Sequence, residues 1–119
     1  MALKKTWKNF MDKYMRGAAE EIDLEQFQAD ETRRYAITFS GLVQGVGFRY
    51  EVWTIARRLQ LTGHVENLPN GDVYSEIQGP ENRIMHLIEC MKQIPRIQIE
   101  KVQMEELKLI EENSFEITN

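Results

Sequence analysis

Between Gly41 and Arg49 the chain reads Gly-Leu-Val-Gln-Gly-Val-Gly-Phe-Arg, a glycine-rich run that closes on an arginine. Glycine lets backbone curl until successive N–H groups face one concave side, which makes a nest for an anion. A strand pattern precedes the run and a helix pattern follows it, so the first-turn donors and positive dipole end of the helix add to the nest. Arg49 brings a planar, permanently charged fork matched to phosphate oxygens. The combination points to phosphate binding and to chemistry on phosphate. It is neither of the common nucleotide loops. No Gly-Lys-Ser/Thr follows, and Tyr50 stands where a G-x-G-x-x-G fingerprint needs its third glycine.

The elements that must position this loop are legible from periodicity. Tyr35, Ile37 and Phe39 alternate with Ala36, Thr38 and Ser40, a half-buried strand running into the loop. Val52, Ile55, Ala56 and Leu59 take helical spacing, which predicts a helix from Phe48 to about Leu61, ahead of Gly63. Val65 marks a second strand, and Asn70-Gly71 a turn into a third through Val73, Ser75 and Ile77. Gly79-Pro80 opens a second helix, with proline in its first turn and Ile84, Leu87, Ile88 and Met91 on one face. Ile97 and Ile99, then Val102 and Met104, give a fourth strand whose phase changes as at a bulge; Phe115 and Ile117 close the pattern. The order is βαββαβ, the α+β ferredoxin-like sandwich: an antiparallel sheet with two helices on one face. Such a fold hosts many functions and decides none.

That plan brings a second polar residue to the loop. The first two strands run parallel, so their C-terminal ends share one sheet edge, with the loop leaving one and Asn67 ending the other. Asn67 has the parity of Val65, the core-facing residue, and so turns toward the side where Arg49 begins the helix. Its carboxamide fits two roles. It can cap the turn before Pro69, or it can accept from a water while donating to a phosphate oxygen.

The loop, with Ala56, Leu59, Leu61-Thr62-Gly63, Val65, Asn67-Leu68-Pro69-Asn70-Gly71 and Gln78-Gly79-Pro80, resembles the acylphosphatase family over about residues 34 to 118. The resemblance implies the fold read above. It also implies metal-independent hydrolysis of a carboxyl-phosphate anhydride to carboxylate and inorganic phosphate by direct in-line attack of water, with no cofactor and no covalent phosphoenzyme. Arg49 would bind the phosphate with the N–H groups of Gln44, Gly45, Val46, Gly47 and Phe48, and Asn67 would position the water. The chemistry is consistent, because a carboxylate leaves readily and only alignment and charge stabilisation remain to be supplied. The chief competing reading is a non-catalytic anion-binding or protein-interaction module on the same fold; a third is a carbamoyl-phosphate-handling domain, since the resemblance extends to such domains in larger maturation proteins. His64 and Glu66 depart from the family's usual tryptophan and basic residue, and Ile94-Pro95 from its Gly-Pro; parity sends His64 and Glu66 to the face opposite Asn67.

Composition bounds the partners. A net charge of −4 argues against nucleic acid, and one cysteine with two histidines offers no metal-site pattern. No membrane-length apolar run or signal-peptide core is present, so the expected location is cytoplasmic. Residues 33–119 read as the domain and 1–32 as a helical extension. In it Leu3, Trp7, Phe10, Met11, Tyr14, Met15 and Ala18 form an apolar face, and an acidic stretch follows. That face fits burial on its own subunit, self-association or a protein partner; an anionic membrane would repel the acidic stretch. His86, Trp53 and Tyr50 read as packing residues, with Tyr50 also a candidate wall of the site. Cys90 reads as a small, at least half-buried hydrophobe, and the charged run from Glu100 to Glu112 as a solvated strand face and turn.

Overall fold

The computed structural model describes residues 24–119, and the helix expected over residues 3 to 19 lies outside them. After a short 3-10 turn at Leu24–Gln26 come β1 (Thr32–Leu42), α1 (Phe48–Arg58), β2 (Thr62–Asn67), β3 (Val73–Pro80), α2 (Glu81–Lys92), β4 (Gln98–Leu107) and β5 (Phe115–Ile117). The sheet order is β4-β1-β3-β2-β5. β3 therefore lies between β1 and β2, antiparallel to both, as the ferredoxin-like plan requires. The sheet is mixed rather than wholly antiparallel. After β4 the chain crosses to the far edge, where β5 pairs parallel with β2. Among the described residues no helix is long and apolar enough to cross a membrane.

Alternation and helical spacing converge on one core. Ile37 and Phe39 of β1 and Val65 of β2 are fully buried together with Val52 and Ala56 of α1, Leu59 at its C-cap, and Ile84, Leu87 and Met91 of α2. Each of these side chains larger than alanine contributes about 1.5–3 kcal/mol of transfer free energy. Cys90 packs half-buried against this core, and His86 sets its ring edge-on to Phe27 at 5.3 Å.

Two boundaries differ from expectation, each for a local reason. α1 ends at Arg58 because Gln60 turns left-handed, at φ 59°. Its N–H then donates to Arg57 O at 3.1 Å and the Leu61 N–H to Ala56 O at 2.8 Å, which closes the last turn. Pro80 is the last residue of β3 instead of a first-turn helix residue, and it offers α2 no side-chain cap. The cap comes from the preceding segment: Glu81 N–H donates to Glu31 O and Asn82 N–H to Asp30 Oδ2, at 3.0 and 2.9 Å. The phase change in β4 is a bulge, with Ser40 opposite Lys101 but Gly41 opposite Ile99. The Glu100–Glu112 run is mostly exposed, yet Glu112 is drawn in by Arg34, a nearly buried guanidinium on the face away from the helices.

Candidate active site

At the shared C-terminal edge of β1 and β2 the chain leaves a hollow of about 270 Å³. Gly45, Gly47, Phe48 and Arg49 line one side, Asn67, Ile117 and Asn119 the other, and Val43 and Tyr50 complete it. Gly45 and Gly47 both take left-handed backbone, at φ 74° and 79°, which side-chain-bearing residues rarely adopt. Gly47 is also the N-cap of α1 and supplies no side chain to satisfy the first-turn donors. Among the described residues no N–H from Gln44 to Arg49 donates to a main-chain acceptor outside the regular elements. The mouth of the hollow is therefore rich in unclaimed donors beside a guanidinium, an environment suited to an oxyanion.

Gln44 and Val46, expected in the cradle, do not line the hollow. The Gln44 side chain instead donates from Nε2 to Leu68 O and Asp72 O, both at 2.8 Å. It thereby staples the loop to the turn after Asn67 and fixes the width of the gap. Val46 turns its carbonyl outward to Arg96.

Arg49 is half-buried, and its Nη1 donates to the main-chain oxygen and, at 3.3 Å, to Oδ1 of Asn119. Asn67 faces it across the hollow. Its N–H donates to Asn119 Oδ1 and its carbonyl accepts from Asn119 Nδ2, both at 2.9 Å. The Asn67 side chain caps nothing. The turn is held by Asn70 Oδ1, which accepts from the Asp72 N–H, and by the Leu68 N–H on Asp72 O. Asn67 Oδ1 is buried without a hydrogen-bond partner. Such an acceptor carries a desolvation cost of about 1–3 kcal/mol until a donor reaches it.

The neighbours divide by face. His64 and Glu66 lie opposite, as parity requires: the His64 ring sits 6.0 Å from that of Tyr74, and Glu66 accepts from Thr118 Oγ1 at 3.2 Å. Tyr50 walls the site instead of joining the core; it is 56% exposed, with the Trp53 ring 5.7 Å away.

Sequence reading missed Glu51, Arg96 and Asn119. Glu51 is fully buried on α1, and burial raises its carboxyl above the ordinary range while the Arg96 guanidinium pulls it back. Its Oε2 accepts from Arg96 Nη2 at 2.6 Å, while Oε1 has no partner. A signal existed, since position 51 falls three after Phe48 and four before Ile55, on the core stripe of the helix. A charge on that stripe requires a partner.

Comparison with known proteins finds acylphosphatases among similar sequences and similar folds. The family model described as Acylphosphatase matches residues 35–117. A curated acylphosphatase of Acaryochloris marina is 43% identical over 79 residues, 66% of this chain and 85% of the relative. The solved acylphosphatase of Coxiella burnetii superposes with a TM-score of 0.68 at 36% identity, covering 73% of this chain and 93% of that one. That of Bacillus subtilis gives 0.68 at 34% identity, over 73% and 99%.

Proposed function

Because the chain belongs to the acylphosphatase family, we propose that its hollow holds an acyl phosphate between Arg49 and Asn67. The protein is a hydrolase of carboxyl-phosphate anhydrides. In this reading the free N–H groups of the Gln44 to Phe48 loop, Gly45 and Gly47 foremost, share the equatorial phosphate oxygens with Arg49. The Asn67 carboxamide holds one water, accepting a hydrogen bond from it at Oδ1 and facing its oxygen toward phosphorus. As the water oxygen bonds to phosphorus, the bond to the acyl oxygen breaks. The carboxylate departs with the bonding electron pair, and inorganic phosphate remains carrying both protons of the water. No general acid is required, since the leaving group is already a weak base.

One observation carries this reading: Asn67, whose buried carboxamide oxygen has no partner, lines the same hollow as a guanidinium and unclaimed N–H donors. An anion-binding module needs the cation and the donors but has no use for that oxygen, so the catalytic reading is preferred. It goes with residues 33–119 as the catalytic domain, residues 1–32 as an extension for self-association or a protein partner, and a cytoplasmic location.

The test is hydrolysis of benzoyl phosphate by the pure protein without added metal. Arg49→Ala is expected to lower kcat/KM by about 100-fold or more, through binding and transition-state charge together. Asn67→Ala is expected to lower kcat by about 100-fold with KM nearly unchanged. An inert wild type, or an Asn67→Ala variant as fast as wild type, overturns the assignment.

A further inference from the structure

Arg96 lies outside the hollow, in the connection between α2 and β4, and grips the phosphate loop from behind. Its Nε donates to Val46 O and its Nη2 to Glu51 Oε2, each at 2.6 Å. The peptide following Val46 joins it to Gly47, and no cis peptide occurs among the described residues. A trans peptide holds its C=O and N–H antiparallel. With the Val46 carbonyl anchored on Arg96, the Gly47 N–H is aimed the other way, and Gly47 lines the hollow.

That peptide requires a lock. Gly47, at φ 79°, has no Cβ to oppose rotation of the peptide plane, so the local sequence alone leaves the N–H free to turn over. Nor is the buried pair efficient as glue. Glu51 is fully buried with Oε1 unsatisfied, and an ion pair so placed recovers its desolvation cost poorly compared with apolar side chains of similar volume.

We propose that Arg96, its charge balanced by Glu51, is a positioning residue that orients the Gly47 N–H as a phosphate donor. The proposal rests on the phosphate reading of the hollow and deepens it. The two fail separately in the following experiment.

Inorganic phosphate is titrated into ¹⁵N-labelled protein, with the Gly47 amide resonance and the overall Kd as readouts beside the melting temperature and benzoyl phosphate kinetics. In wild type the Gly47 amide shifts on binding. The double variant Glu51→Leu/Arg96→Met, which replaces the ion pair by apolar volume, is expected to melt within a few degrees of wild type. It is also expected to bind phosphate about 10- to 100-fold more weakly, with a matching fall in kcat/KM. Arg96→Lys retains the charge but not the fork, and is expected to bind phosphate at least about tenfold more weakly while remaining folded. A double variant as stable as wild type that binds phosphate within twofold of it overturns the proposal, as does an Arg96→Lys protein with wild-type affinity. If the double variant fails to fold, Arg96→Lys decides alone. A wild type inert toward benzoyl phosphate, whose phosphate binding still depends on Arg96, sinks the catalytic reading and upholds this one.

Discussion

The Asn119 carboxamide mimics a peptide group. It donates to the Asn67 carbonyl and accepts from the Asn67 N–H, while Oδ1 also meets Arg49. It therefore continues the parallel β2–β5 pairing one step past Thr118, whose N–H donates to Val65 O, and fixes the backbone from which Asn67 projects. Asn119→Ala should reduce kcat about tenfold, because water alignment loosens, with little change in melting temperature since these bonds are solvent-exposed. Side-by-side kinetics and thermal melts check both parts. That Arg49 and Asn67 meet on one hollow was legible in the sequence, because motif spacing and strand parity bring them to the same edge of the sheet. Asn119 and Arg96 were not. Their partners, main-chain atoms among them, lie far along the chain, and nothing in the local pattern around either residue records those bonds.

At the scale of elements, periodicity located all five strands and both α-helices of the described residues but not the 3-10 turn at Leu24–Gln26, and the boundary errors fall where backbone conformation outranks composition. Gly63 invited a helix end near Leu61, yet the terminator is Gln60, a residue with no special tolerance for left-handed backbone. Gln60→Gly should therefore stabilise the protein by about 0.5–1 kcal/mol, the relief of that strain exceeding the added freedom of the unfolded chain. A higher urea midpoint at unchanged slope would show it, and an unchanged or lower midpoint would refute it. The cap of α2 was illegible for a different reason. Pro80 carries no side-chain acceptor, so the helix relies on Asp30 and Glu31, which composition alone assigns to an acidic linker.

Over the whole molecule, the face away from the helices carries a charge network that couples stability to pH. Tyr74 donates from its hydroxyl to Glu76 Oε2 at 2.7 Å; burial first, then that bond, pushes its pKa up to about 12 from the ordinary 10.0. Between those values the native state keeps a proton that the unfolded chain has released, so stability falls as pH rises through the window. Tyr74→Phe should flatten that alkaline slope in denaturant midpoints taken across it, and an unaltered slope would assign it elsewhere. The network itself was invisible in sequence, since Arg34, Tyr74, Glu76 and Glu112 meet only once β3 lies beside β1. The same holds, with larger consequence, for the late edge strand. β5 joins β2 across some fifty intervening residues, and its run carries Ile117 and Asn119 to the rim of the hollow. Contacts so far apart along the chain form slowly, because the ends must find each other before any bond rewards the search. Hydrolytic competence should therefore trail the formation of the local turns and helices in refolding, and the delay before first turnover measures how long the distant strands take to meet.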